Sequence, residues 1–245
     1  MTQRLLTQSC EEATITLTDA GSGSDAKLLK NRDLRVKAIN KTGSDTIMIE
    51  LDFGTSTTVD YVLLGNLYSS NNIDVDIRYW NGSSYVVDTS TSGTFANVNR
   101  YFALSATRTA TKYRIDFSPV AAATVELSCI FLGQKFDFAY PYDYNNSRVS
   151  LMRGEFVQDS AGYPYAQIHS SNKRRVWEVV FSLTASELDD LEDRLVAAGY
   201  HMKPVFFYDD NVDTDYHLCR LDMTELRAEQ PGRDYFKLPM RIVEI

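Results

Sequence analysis

The chain has 245 residues, with 25 Lys+Arg against 33 Asp+Glu and a formal net charge of −8. Hydrophobic residues at 44% and charged residues at 24% are ordinary globular values, which excludes global disorder and, at roughly 150 residues per domain, suits one large domain or two modest ones. The acidic balance argues against specific nucleic-acid binding, which rests on Lys and Arg neutralising phosphates.

Residues 1–133 read almost wholly as strands. In Ile73-Asp74-Val75-Asp76-Ile77-Arg78-Tyr79-Trp80, the apolar residues Ile73, Val75, Ile77 and Tyr79 share one face, while Asp74, Asp76 and Arg78 take the other. That period of two marks a half-buried antiparallel strand. It recurs at Ile47–Phe53, Lys112–Phe117 and Val125–Cys129, and Asn81-Gly82 predicts a hairpin from Trp80 into Tyr85-Val86-Val87. With no convincing helix among these strands, 1–133 is expected to form a β-sandwich. Residues 134–147, rich in aromatics and turn formers, read as a packed connecting strap.

From 148 to 245 the rhythm changes. Strands are expected at Arg148–Met152, Tyr165–His169 and Arg175–Leu183, with Trp177, Val179, Phe181 and Leu183 on one face. Thr184-Ala185-Ser186-Glu187 is a capping box that opens a helix over 184–199. Leu188, Leu191, Leu195 and Val196 line its apolar face, and Gly199 sits where a left-handed C-terminal residue would end it. Strands follow at Val205–Tyr208, Tyr216–Met223 and Tyr235–Ile245, with Pro239 confining the last to an edge or a bulge.

Chemistry-bearing motifs are sparse. Cys10, Cys129 and Cys219 are widely spaced, with no CxxC pair, and read as buried reduced thiols. The start shows no long apolar run and no stretch reaches the roughly 18 apolar residues of a membrane span, so a soluble protein made inside a cell is expected. Asp209–Asp215 is acidic, but an EF-hand counted from Asp209 would need Gly and Glu where Thr214 and Arg220 stand. No metal site is therefore expected. His169, His201 and His217 show no HxxxH or HExxH spacing, there is no GxSxG elbow, and Gly21-Ser22-Gly23-Ser24 lacks the lysine of a phosphate loop. No enzymatic activity and no cofactor are expected. Lys173-Arg174-Arg175 is the only basic run, either a solvated turn or a contact for an acidic surface. Tyr68, Trp80 and Tyr85 are aromatics near Asn and Asp, which suits either hairpin packing or a sugar-binding patch.

Two resemblances add to this. Ile49–Gly54, Thr58–Gly65, Ile77–Tyr85, Lys112–Ile115, Val125–Leu127 and Phe131–Gly133 give residues 25–133 a pattern that resembles galactose-binding-like, discoidin-type jelly rolls, although Leu28–Asp33 has no tryptophan. Arg148–Arg153, Gln158–Pro164, Arg174–Phe181 with its following helix, Pro204–Asp209 and the final Ile242–Ile245 are similar to proteins of the phage tail tip. The fold implied is mainly β: an N-terminal jelly-roll β-sandwich plus a C-terminal α+β split barrel with one packed helix. The resemblance implies a structural, ring-forming component of a bacteriophage tail tip, a distal tail or baseplate adaptor. It would assemble with itself, taken as a hexamer, and with the tail tube and tail-tip hub, in host cytoplasm and then in the virion. DNA would only pass through an acidic lumen. Asp159, Tyr163, Lys173, Arg174 and Arg175 are the candidate contacts between copies. The alternative is a carbohydrate-binding protein recognising host-surface glycans through Tyr68, Trp80 and Tyr85.

Overall fold

A computed structural model describes residues 3–8, 10–30, 32, 34–140, 147–151, 154–158, 164–168, 174–197, 203–209, 215–222, 227–230 and 235–245, with the backbone alone at 147–151, 154–158, 164–168, 174 and 197. The fold is mainly β, as expected, and divides into two compact units, Leu6–Phe136 and Met1–Leu5 with Asp137–Ile245. The sequence reading put the first five residues in the N-terminal domain. Strand β1 (Gln3–Leu6) instead joins the sheet of the second unit, a long-range pairing that four residues of sequence do not reveal.

In the N-terminal unit, β2 (Thr14–Thr18), β3 (Ile39–Gly43), β4 (Ile47–Ser69), β5 (Ile73–Trp80), β6 (Tyr85–Gly93), β7 (Ala96–Pro119), β8 (Ala123–Leu127) and β9 (Cys129–Gly133) make one connected antiparallel system. Strands β4 and β7 are far longer than the short strands expected there, and they pair with each other from Ile47↔Phe117 to Tyr68↔Ala96. Their register shifts between Asp52 and Thr57, where Gly54 takes φ +68, a left-handed conformation that suits glycine. The N-terminal half of β4 pairs with β2, and the C-terminal half of β7 with β5, which carries β6. The other half of β4 pairs with β9 and reaches β8, which carries β3. Ile49, Leu51, Ile115, Phe117, Val75 and Ile77 from the first half share one buried cluster with Val62, Leu64, Val125, Leu127 and Ile130 from the second. Fully burying each such side chain is worth roughly 1.5–3 kcal/mol. The single-turn helix α1 (Ala26–Leu29), capped by Asp25, was missed because one turn carries no period to read.

The hairpin expected at Asn81-Gly82 is present, with Trp80↔Tyr85 as its last pair. The Asn81 side-chain oxygen accepts from the Ser83 and Ser84 amides at 2.9 Å each, and Gly82 takes φ +101.

In the C-terminal unit, β10 (Phe136–Phe138), β11 (Ser147–Leu151), β14 (Arg174–Leu183), β15 (Val205–Asp209), β16 (Tyr216–Leu221) and β17 (Phe236–Glu244) join β1 in the order β10-β1-β15-β16-β17-β14-β11. Phe138 stacks on Phe181 at 3.7 Å between centroids, so part of the expected strap is a strand of this sheet. Helix α2 (Ala185–Ala197) follows the capping box as read: the Glu187 amide donates to Thr184 Oγ1 at 3.3 Å, and the Thr184 amide to Glu187 Oε2 at 2.8 Å. Leu191 and Leu195 are buried, whereas Val196 is 56% exposed and leaves the expected apolar face. Gly199 lies outside the described residues. Strand β17 is flanked by β16 and β14, not at an edge of the sheet. Among the described residues, β14 pairs at the proline through Val180, and the β16 register is described as far as Leu221↔Ile242. A further strand, β12 (Gly154–Gln158), was not expected and forms a two-stranded sheet with β13 (Pro164–Ile168).

Gly65 in β4 is a close-approach point, because a Cβ there would sit 2.4 Å from Cys129 Sγ and 2.8 Å from Leu34 Cδ2. Gly65→Ala is expected to lower stability by about 1–3 kcal/mol through overpacking. Urea unfolding checks this, and Cys129→Ala in the same chain should recover part of the loss.

Candidate functional site

Alternation in β4, β5 and β7 sends their apolar residues into the core and their polar residues to one outer face. The register lines up Glu50, Arg114 and Arg78 in one row, and Met48, Asp116 and Asp76 in the next. Like charges therefore face each other along each row, Arg78 opposite Arg114 and Asp76 opposite Asp116. Such pairs repel unless neighbours compensate. Compensation runs between the rows: Asp116 lies 2.7 Å from Arg78 Nε and 2.9 Å from Arg114 Nε, and Asp76 lies 2.6 Å from Arg78 Nη2. Lys112 extends the lattice, 2.8 Å from Asp52 and 3.5 Å from Glu50.

The Asp116 side chain is 6% exposed and links both arginines. The Lys112 hydrogen bond, helped by the Gly54 amide, holds the Asp52 carboxyl below its ordinary 3.8. A depressed carboxyl contributes stability above its unfolded value, and that contribution is lost as pH falls through the folded one.

Trp80 and Tyr85 close one end of this face. Their rings meet edge to face at 5.2 Å and 65°, and the Arg114 guanidinium lies 4.6 Å over the Tyr85 ring. Burial raises the Tyr85 phenol well above its usual value, and the Glu50 carboxylate beside it acts in the same direction. Both residues are half-buried. Hairpin packing and an aromatic rim are thus one arrangement: Tyr85 anchors to the lattice and Trp80 stands beside it. Tyr68 is not part of it. It pairs with Ala96 and Glu126, near the start of β5, whereas Trp80 ends β5 seven residues later, ~23 Å along the strand.

Lys173, Asp159 and Tyr163 lie outside the described residues, as do His169 and His201, and Arg174 is described in backbone only. Arg175 is turned into its own sheet: Nη1 lies 2.5 Å from His217 Nε2, and its amide donates to Glu244 Oε2 at 3.0 Å. The other Glu244 oxygen lies 3.0 Å from His217 Nδ1. Burial opposes ionisation of Glu244, but the hydrogen bonds from His217 and the Arg175 amide outweigh it and hold the carboxyl below its ordinary value. Cys219 shares this neighbourhood, and burial raises its thiol well above the ordinary value. All three cysteines are buried. In the acidic loop, Asp209 is buried and accepts from Gln3 Nε2 at 3.2 Å, a fold contact that holds β1. Among the described residues no cluster of His, Cys, Asp and Glu has the geometry to hold a metal.

Sequence reasoning missed the lattice as a unit. Alternation puts these charges on one face, and only the register shows that they interlock.

No protein-family model and no curated protein sequence matches the chain. Among solved structures, it is similar to chitosan-binding module 1 of a chitosanase/glucanase from Paenibacillus sp. IK-5, at 17% identity over 51% of this chain and 98% of that one, with a TM-score of 0.42. A family 32 carbohydrate-binding module of C. perfringens NanJ, solved with galactose, is similar at 12% identity over 53% of this chain and 98% of that one, TM-score 0.42. A pectin-binding module is similar at 11% identity over 49% of this chain and 89% of that one, TM-score 0.40. At these values no residue of those modules' sites carries over to this chain.

Asp116→Asn is expected to cost about 2 kcal/mol by leaving two facing arginines uncompensated. Denaturant unfolding at pH 7 is the check. Asp52→Asn is expected to differ from the parent protein near neutrality and to converge with it as pH falls below 3.8, read as melting temperature against pH.

Proposed function

We propose that the chain is a non-catalytic recognition protein whose N-terminal unit binds glycan on the outer sheet face bounded by Trp80 and Tyr85. The Trp80–Tyr85 pair at the end of the charge lattice carries this reading. A sugar ring offers apolar C–H faces to an aromatic plane and hydroxyls to fixed donors and acceptors. The guanidiniums and carboxylates of Arg114, Glu50 and Asp52 stand beside the pair, already held by Asp116 and Lys112, so little ordering entropy is lost on binding. Trp80→Ala should weaken binding about tenfold or more while leaving the melting temperature within a few degrees. A glycan array followed by calorimetry on any hit tests this, and a parent protein that binds no glycan above background sinks the reading.

A second reading is a ring-forming phage tail-tip component, in which one feature of the C-terminal unit would find a use. Among the described residues β12 and β13 pair only with each other. An isolated two-stranded hairpin is marginally stable in water, so a neighbouring copy would give it the edge it lacks. On this reading the C-terminal unit assembles around a DNA channel between tail tube and hub, and the sandwich serves as its outward module. Removal of residues 154–168 is then expected to leave a folded monomer where the full chain forms a closed ring, as mass photometry would show. A full chain that stays monomeric at micromolar concentration counts against the ring.

A further inference from the structure

The second half of the N-terminal sheet has an open polar shelf that the Trp80 reading does not use. The register sets Ala96, Tyr68, Glu126 and Asn40 in one row across β7, β4, β8 and β3. Residues directly opposed in a sheet share a face, and Leu67, Val125, Leu127 and Ile39 fill the core behind it. Three inter-strand steps of about 4.8 Å make the row ~14 Å long.

Charge on the shelf cancels, since Lys37 Nζ lies 3.4 Å from Glu126 Oε2. The same ammonium donates to Asn97 Oδ1 at 3.2 Å and to the Asn66 carbonyl at 3.4 Å. Asn66 and Asn97 both take φ +55, the left-handed conformation that asparagine tolerates, at the register shifts beside Tyr68. Their amides have different roles. Asn66 donates through Nδ2 to the Leu34 carbonyl at 2.9 Å and secures the chain behind the shelf. The exposed Asn97 uses only its oxygen, and its two N–H donors have no partner among the described residues; nor do the Asn40 side-chain amide and the Tyr68 hydroxyl. Ala96 is small and exposed, which leaves the flank of Tyr68 open.

We propose that this shelf is a second carbohydrate site, selective for a neutral oligosaccharide laid across β7–β4–β8–β3. The balanced Lys37–Glu126 pair gives an anionic chain no net attraction and presents adjacent donor and acceptor groups to neighbouring hydroxyls. Tyr68 supplies the aromatic face, and Asn97 and Asn40 supply unspent amides on either side. The site shares a ligand class with the Trp80–Tyr85 face but no residue, and either can fail without the other.

The test is titration of the ¹⁵N-labelled full chain with cellotetraose, maltotetraose, mannotetraose and chitotetraose, with dextran sulfate as the anionic arm. At least one neutral probe is expected to shift the Asn97 side-chain amide and the Tyr68 and Glu126 backbone amides saturably. Tyr68→Ala should weaken that response about tenfold. Asn97→Gly, which keeps the positive φ and removes only the amide, should weaken it severalfold, and Trp80→Ala should leave it unchanged. Absence of any shift with the four neutral probes overturns the proposal. So do shifts that survive Tyr68→Ala in a folded protein, or a response to dextran sulfate alone. The Trp80 indole signal reports separately on the other face.

Discussion

The pairing of β4 with β7 is the constraint on which the N-terminal unit depends. Two strands of more than twenty residues stay hydrogen-bonded through a bend, so one continuous ladder supplies both halves of the sandwich. The bend needs a left-handed residue at Gly54 and bulges further on, where Asn66 and Asn97 take the same conformation. Each irregularity changes which side chains face out. The two candidate binding surfaces follow from this: one lies before the bend in β4, where β2 and β5 flank the ladder, and the other beyond it, where β8 and β3 do.

Electrostatics on the first surface follows from register. Strict alternation places four carboxylates, Glu50, Asp52, Asp76 and Asp116, among three cations, Lys112, Arg78 and Arg114. The like-charge rows would repel if they stood alone. Offsetting them by one rung lets a single buried carboxylate, Asp116, link two arginines. A surface braced this way is stiff, a useful property in a recognition face because few rotamers remain to be frozen. The second surface achieves neutrality with one pair, Lys37 and Glu126, and leaves amides and a phenol unspent.

In the C-terminal unit the same economy serves the fold. Arg175, His217 and Glu244 satisfy one another across β14, β16 and β17, and the basic run is thereby drawn inward at its last residue. Arg175 becomes part of a sheet because a carboxylate and an imidazole wait on the neighbouring strands.

Local pattern determined a good deal by itself. Period-two alternation marked Ile73–Trp80 and Arg175–Leu183 as strands with the correct buried faces, Asn81-Gly82 placed the hairpin, and Thr184 with Glu187 placed the helix start. These are decided by neighbours within four residues, where side-chain direction and turn chemistry are intrinsic to the chain. Tertiary structure decided what depends on pairing at long range. Strand β1 crosses into the second unit, β4 and β7 run on through their bend, and Pro239 sits in a strand flanked by β14 and β16. Tyr68 and Trp80, equal candidates in the sequence, stand beside different neighbours, Ala96 and Glu126 for the one and Tyr85 for the other. The physical reason is common to all of these: alternation states that a residue faces out, but only the register states which residue from another strand stands beside it.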